Sequence, residues 1–388
     1  MTFDFDKQIS RRHTGSYKWD TAEDDVLPLW VADMDFQAAP AIINALRRRV
    51  EHGVFGYTYV RPEYYEAVID WFAERHGWQI ERDQFIYTSG VVPAVSAIIK
   101  AMTRPGDKVI TQTPAYNCFF SSIRNNDCIV AENPLPYDAE TGRYTIDVDG
   151  LERLAAAPRA TVMMLCNPHN PSGRVWSRDE LLRVADICLR NNVFIISDEI
   201  HCELTFAGHD YTPFGTLPDC YTSRSSICVS PSKAFNIAGL QIANIITPDA
   251  DIRARIDRAI NINEVCDVNP FGVEATIAAY RESAYWLDSL RDYIYENYLL
   301  LCDTLAAELP SLKVTPLEGT YLAWVNISAT GLTADQLSDL LLERKRLRIN
   351  SGTMYGDSTN SFIRINLACP RATLRDALTR ITSLLNRE

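Results

Sequence analysis

The sequence predicts an α/β protein, with a large lobe on a mainly parallel sheet and a smaller α+β lobe. Three observations carry this. Short apolar, β-branched runs alternate with helical periods from about residue 85. After about residue 249 the pattern turns to long helices followed by short strands. The length, 388 residues at roughly 150 per domain, allows two or three domains and a deep cleft between lobes. Hydrophobic residues at 47%, with 17 Gly and 19 Pro, are ordinary globular usage, so the chain is expected to be folded throughout.

Taken in order, the first forty-odd residues are irregular, with Pro28, Pro40 and the apolar stretch VLPLWVADMDF, and are expected to lie across the body and complete the small lobe. FIYTS (85–89) reads as a strand before the helical VPAVSAIIKAM. KVITQ (108–112) follows the turn Arg104-Pro105-Gly106-Asp107. TVMMLC (161–166) precedes SRDELLRVADICLRNN, and VFIISD (193–198), SICVS (226–230) and IANIIT (242–247) complete the series. Strands at this spacing imply βαβ units, and their unbroken apolar character implies burial on both faces. Beyond them come the helices DIRARIDRAI and PFGVEATIAAY and the long helical stretch 283–309. The strands LKVTP, TYLAWV, LRIN and SFIRINLA follow, with the helices TADQLSDLLLERK and RATLRDALTRITSLLNR among them. No linker separates the lobes, so residues 48–280 are expected to form the large domain. Residues 1–47 and 281–388 are expected to form the small one, the boundary near 280 falling inside a helix.

A net charge of −12 opposes non-specific attraction to nucleic acid or an anionic membrane. The first residues lack a leader's apolar core and no apolar run nears the roughly 18 residues of a membrane span, so a soluble, cytoplasmic protein is expected. The ten cysteines (118, 128, 166, 188, 202, 220, 228, 266, 302, 369) form no C-x-x-C pair and read as reduced, mostly buried thiols.

G-x-G-x-x-G after a strand, the P-loop, G-x-S-x-G and H-E-x-x-H are all missing, and the six histidines are dispersed, which sets aside dinucleotide, P-loop, serine-hydrolase and metal-site readings. Candidates instead stand where open α/β sheets bind ligands, at strand C-termini. Ser89-Gly90-Val91 opens a helix whose free N–H groups could hold a phosphate. Asn170 lies in a loop with two Asn-Pro steps. Asp198 ends an apolar strand, where a carboxylate needs a partner or serves as an N-cap. Ser230-Pro231-Ser232-Lys233 ends the next strand. Singly each has an ordinary reading: a turn, a cap, a solvated lysine. Together they describe a ligand with a cationic ring nitrogen, an aldehyde and a phosphate, which is pyridoxal 5′-phosphate.

With those residues the chain resembles the fold-type I, aspartate aminotransferase-like superfamily of pyridoxal-phosphate enzymes over essentially its whole length. More narrowly it resembles the cystathionine β-lyase (MalY/PatB-type C–S lyase) group. The residues carrying the narrower likeness are Leu29-Trp30-Val31-Ala32-Asp33-Met34-Asp35-Phe36, Asp198-Glu199-Ile200-His201, SPSKAFNIAGLQ (230–241) and FIRINLACPR (362–371). The resemblance implies that Lys233 is catalytic and joins the cofactor as a Schiff base, that Asp198 pairs with the pyridine N–H, and that Asn170 bonds the ring oxygen. Tyr116 would stack on the ring. His201 stands where many relatives have Tyr. Gly90, Val91, Ser230, Ser232 and Tyr57 of a second subunit would take the phosphate, implying a homodimer with shared sites. Arg364 would clamp the substrate carboxylate, with Asn170, Tyr116 and Ala32 also at the substrate. Gln241 stands where aminotransferases commonly carry a phosphate-binding Arg.

The implied reaction is β-elimination of L-cystathionine or another S-substituted cysteine to a thiol, pyruvate and ammonia. Two alternatives share the fold: an aminotransferase of class I/II, and a regulator acting through protein contacts.

Overall fold

The computed structural model describes residues 3–262 and 267–386; Cys266 lies outside the described residues. Seven strands form the main sheet: β1 (Phe85–Thr88), β2 (Lys108–Thr113), β3 (Ile129–Pro134), β4 (Ala160–Cys166), β5 (Phe194–Asp198), β6 (Ser225–Val229) and β7 (Ala243–Ile246). Their spatial order is β1-β7-β6-β5-β4-β2-β3. β3, β2, β4, β5 and β6 are parallel neighbours, and β7 runs antiparallel to both β6 and β1.

Successive side chains on a strand point to opposite faces, so a sheet covered on both sides needs apolar residues at every position. Along β4, Met163 and Leu165 enter one hydrophobic cluster while Val162, Met164 and Cys166 enter another, and β5 divides Ile195 from Phe194 and Ile196 in the same way. Each fully buried apolar side chain of this size stabilises by about 1.5–3 kcal/mol before entropy is counted. One cover is the helix Val91–Met102, whose Val91, Ala94, Val95, Ile98 and Ile99 recur at helical spacing and are buried. Another, Arg178–Arg190, starts at a capping box in which Ser177 and Glu180 satisfy each other's backbone N–H groups.

A second, wholly antiparallel sheet contains β8 (Lys313–Val314), β9 (Leu322–Asn326), β10 (Asn350–Ser351) and β11 (Phe362–Asn366), in the order β8-β9-β11-β10. The N-terminal segment does cross the body. Leu27 and Pro28 pair in parallel with Leu347 and Arg348, and Leu29 accepts from Asn366 N. The helix Pro270–Glu282 contains residue 280 and meets the helix Ala284–Glu308 at Ser283. Among the described residues no helix is long and apolar enough to cross a membrane.

Candidate active site

The C-terminal ends of β1, β4, β5 and β6 open into one cavity of about 210 Å³. Around its base stand Gly90 and Val91 after β1, Asn170 after β4, Asp198 ending β5, and Ser232 and Lys233 after β6; Tyr116, Cys166 and His201 contribute walls. Asp198 is buried, and one carboxylate oxygen accepts from Ile200 N at 3.1 Å. The residues after it form turns, so Asp198 caps no helix. Gly90 precedes the helix Val91–Met102 with φ 154°, a conformation that side-chain-bearing residues rarely adopt. The helix therefore begins beside the cavity, where its first N–H groups have no partner within the helix.

The roof has a different construction. Residues 30–36 carry no regular structure, and side chains from both sheets hold their carbonyls. Arg364 Nη2 and Asn350 Nδ2 each donate to Trp30 O at 2.9 Å, and Asn366 Nδ2 donates at 2.6 Å to both Val31 O and Asp33 O. Lys233 Nζ donates to Ala32 O at 2.7 Å and Tyr321 OH donates to the same oxygen at 2.8 Å. Asn236 Nδ2 donates to Met34 O and Phe36 O. Arg11 and Lys18 fix the outside of the segment by pairing with Asp33 and Asp35.

Burial dominates the electrostatics. It pushes the Asp198 carboxyl up to about 6 and lowers the Lys233 amine, which feels Asp33 and Asp198 in favour of its charge and Arg364 against it. Burial, with Lys233 and Arg364 nearby, lowers His201 to about 3, so the imidazole is neutral, and its Nδ1 has no partner. Arg364 is buried, donates from Nη1 to Asn170 Oδ1 at 3.1 Å and lies over the Tyr355 ring at 5.0 Å, while its Nε remains unpartnered.

These residues fit pyridoxal 5′-phosphate. Asp198 is a buried carboxylate in need of a cation, which a protonated pyridine nitrogen supplies. Lys233 is an amine placed to condense with an aldehyde, His201 offers an open ring nitrogen, and the amides at 90–91 with Ser232 can take a phosphate.

Of the residues expected from the sequence, Ala32, Gly90, Val91, Tyr116, Asn170, Asp198, His201, Ser232 and Lys233 line the cavity together. Three lie elsewhere. Ser230 sits behind Ser232: its hydroxyl donates to Ile242 O at 2.6 Å and accepts from Ser232 N at 3.1 Å, so it braces the loop. Arg364 stands one hydrogen bond further out, behind Asn170. Tyr57 is 96% exposed beside Arg48, His52 and Glu274, away from this chain's cavity. Sequence reasoning missed Tyr321, Asn350, Tyr355 and Asn366. Only Asn366 carried a local signal, lying two residues past Arg364 and so on the same strand face.

The model of the family "Aminotransferase class I and II" matches residues 24–381. The chain is 41% identical to cystathionine beta-lyase PatB of Bacillus subtilis, covering 98% of this chain and all of that one. It is 34% identical to protein MalY of Escherichia coli over 96% of each. The crystal structure of cystalysin from Treponema denticola, which contains a pyridoxal 5′-phosphate cofactor, superposes with a TM-score of 0.96 at 35% identity over the whole of both chains. Strand order, cavity and full-length likeness agree: the chain belongs to the aminotransferase class I and II family.

Proposed function

We propose that the protein is a pyridoxal-phosphate-dependent carbon–sulfur β-lyase. It would convert L-cystathionine or other S-substituted cysteines, with one water consumed, to a thiol, pyruvate and ammonia. The observation that carries the reading is the placing of Lys233 and Asp198 in one buried cavity, in a chain 41% identical along its length to a cystathionine beta-lyase. When bound, the cofactor supplies the electron sink for charge developing at the substrate Cα. Lys233 would hold the cofactor and, as a free amine, would take the substrate Cα proton. Its lowered pKa increases the neutral amine available as a base near neutral pH. Asp198 keeps the ring nitrogen protonated, and Arg364 with Asn170 clamps the α-carboxylate.

The working unit would be a homodimer in the cytoplasm. Val54, Phe55, Tyr57 and Tyr59 form an exposed aromatic and apolar arm suited to cover by a second copy, which Tyr57 would enter as a phosphate ligand. The nine described cysteines are unpaired, which suits a reducing compartment. The two sheets, with the N-terminal segment bonded to the smaller one, support the division into 48–280 and 1–47 with 281–388. Incubation with L-cystathionine and no keto acid tests the activity. Pyruvate and homocysteine in equal amounts are expected, whereas turnover that requires a 2-oxo acid and yields no pyruvate would overturn the reading in favour of an aminotransferase.

A further inference from the structure

The smaller sheet carries a second arginine on the same face as Arg364. Along residues 347–350, Leu347 and Ile349 are buried in the core, so Arg348 and Asn350 share the opposite side of the chain. Both touch Trp30. Asn350 donates to its carbonyl, and the Arg348 guanidinium carbon lies 3.8 Å from the centre of its indole ring. Arg364 is directly across from Asn350 in the β10–β11 pair and donates to that same carbonyl. One strand across and two residues along puts Arg348 about 8 Å from Arg364, Cα to Cα.

Arg348 carries an uncommitted charge. Its hydrogen bond is a 3.5 Å contact to Thr21 O at the limit of such bonds, and among the described residues no carboxylate pairs with it. Its neighbour Arg346 takes both Glu23 and Asp25. The ring beneath it is held on two sides: Trp30 Nε1 donates to Lys18 O at 3.2 Å, and the Tyr17 ring, 68% exposed, packs at 5.3 Å. A guanidinium laid on an aromatic face keeps its N–H edge free and loses less entropy on taking a carboxylate in a bidentate pair.

We propose that Arg348, stacked on Trp30, is a specificity-determining residue that binds a carboxylate at the far end of the substrate, on the carbon chain beyond sulfur. The preferred substrates are then cysteine thioethers whose leaving thiol is itself an acid, held by their α-carboxylate at Arg364 and their second carboxylate at Arg348. This rests on the carbon–sulfur lyase reading and deepens it.

Two substrates of similar size separate the possibilities: S-(2-carboxyethyl)-L-cysteine, with two carboxylates, and S-propyl-L-cysteine, with one. The wild-type holoenzyme is expected to show a kcat/KM about tenfold or more higher for the first, carried mainly by KM, as for a hydrogen bond to a charged group. Arg348→Met should abolish the preference and leave S-propyl-L-cysteine turnover and the melting temperature unchanged, while Arg348→Lys should keep part of the preference. A preference unchanged in Arg348→Met, or equal loss on both substrates, overturns the proposal. So does a wild type that turns over S-propyl-L-cysteine without preferring the acid, a result that leaves the lyase reading standing. A wild type that releases pyruvate from neither substrate refutes the lyase reading instead.

Discussion

The floor and the roof of the cavity are built on opposite principles. Asp198, Asn170, Ser232 and Lys233 are placed by backbone geometry, because each follows or ends a strand whose neighbours fix its height and direction. The roof, residues 30–36, has no ladder or helix to fix it and takes its shape from side-chain donors. Those donors lie far along the chain: the Lys233, Arg364 and Asn366 bonds span 201, 334 and 335 residues. The floor should therefore tolerate loss of a side chain without loss of shape, and the roof should not. Lys233 belongs to both, since it lines the cavity and donates to a roof carbonyl, and Arg364 ties the two together from behind by donating to Asn170 and to Trp30 O.

The sharpest break is Lys233→Ala. Under the proposed roles, removing the amine would take away the cofactor's anchor and the base in one change, so pyruvate release should fall by about 10⁴-fold or more. Ala32 O keeps its bond from Tyr321 OH, so the melting temperature of the cofactor-free protein should fall little. The roof answers differently. Asn366 is buried, donates to Val31 O and Asp33 O, and accepts from Ala368 N at 2.8 Å. Asn366→Ala leaves two part-buried carbonyls and one buried N–H unpaired and should cost about 2 kcal/mol in urea unfolding, with a raised substrate KM. A variant as stable as wild type would show that the roof has other supports.

The same contrast explains what the sequence revealed. The floor was legible because buried parallel strands read as unbroken apolar runs and ligands gather at their ends, so FIYTS, TVMMLC, VFIISD and SICVS located Gly90, Asn170, Asp198 and Lys233 at once. The course of the roof across the body was legible in its irregular apolar stretch, but its place at the site came only through resemblance, in the string from Leu29 to Phe36, since the bonds from Tyr321 and Asn350 leave no local periodicity. Ser230 and Ser232 looked equivalent in sequence, yet the strand end turns one outward and uses the other as a brace. Some legible elements were passed over. The helices Pro40–His52 and Pro62–His76 each open on a proline at the first position and end at a glycine, which is the ordinary punctuation of a helix.

Floor electrostatics give a pH test. Asp198 has a folded pKa of about 6, above the ordinary 3.8, so the folded chain holds that proton more tightly than the unfolded chain does. The associated stabilisation is full below about pH 4 and is lost as pH rises through about 6, to the extent of about 3 kcal/mol. Asp198→Asn removes this decline. Between pH 4 and 7 the cofactor-free variant should gain on cofactor-free wild type by about that amount, measured from urea midpoints. Glu199, raised to about 7 by its own burial, declines in both proteins and cancels in the comparison. His201 has the opposite sign: its depressed pKa stabilises above the ordinary histidine value and is lost as pH falls toward 3, so His201→Asn should gain on wild type in the acid direction. Parallel curves for wild type and Asp198→Asn would mean that the carboxylate is solvated in the cofactor-free protein.

The smallest expected effect lies where the floor depends on backbone alone. Gly90 holds φ 154°, and a Cβ there would stand 3.5 Å from Pro93 Cδ, an ordinary contact. Space is available, so the cost of Gly90→Ala is conformational, about 1–2 kcal/mol. The cheapest relief is rotation of the 89–90 and 90–91 peptides, which would turn the first N–H groups of the helix away from the cavity. The loss should therefore appear twice, as a small drop in stability and as a several-fold weaker retention of pyridoxal phosphate on dialysis, with kcat of the loaded enzyme near wild type. Because no side chain is removed from the cavity, a drop in stability with unchanged retention would assign the phosphate to Ser232 and the partner copy's arm rather than to these amides.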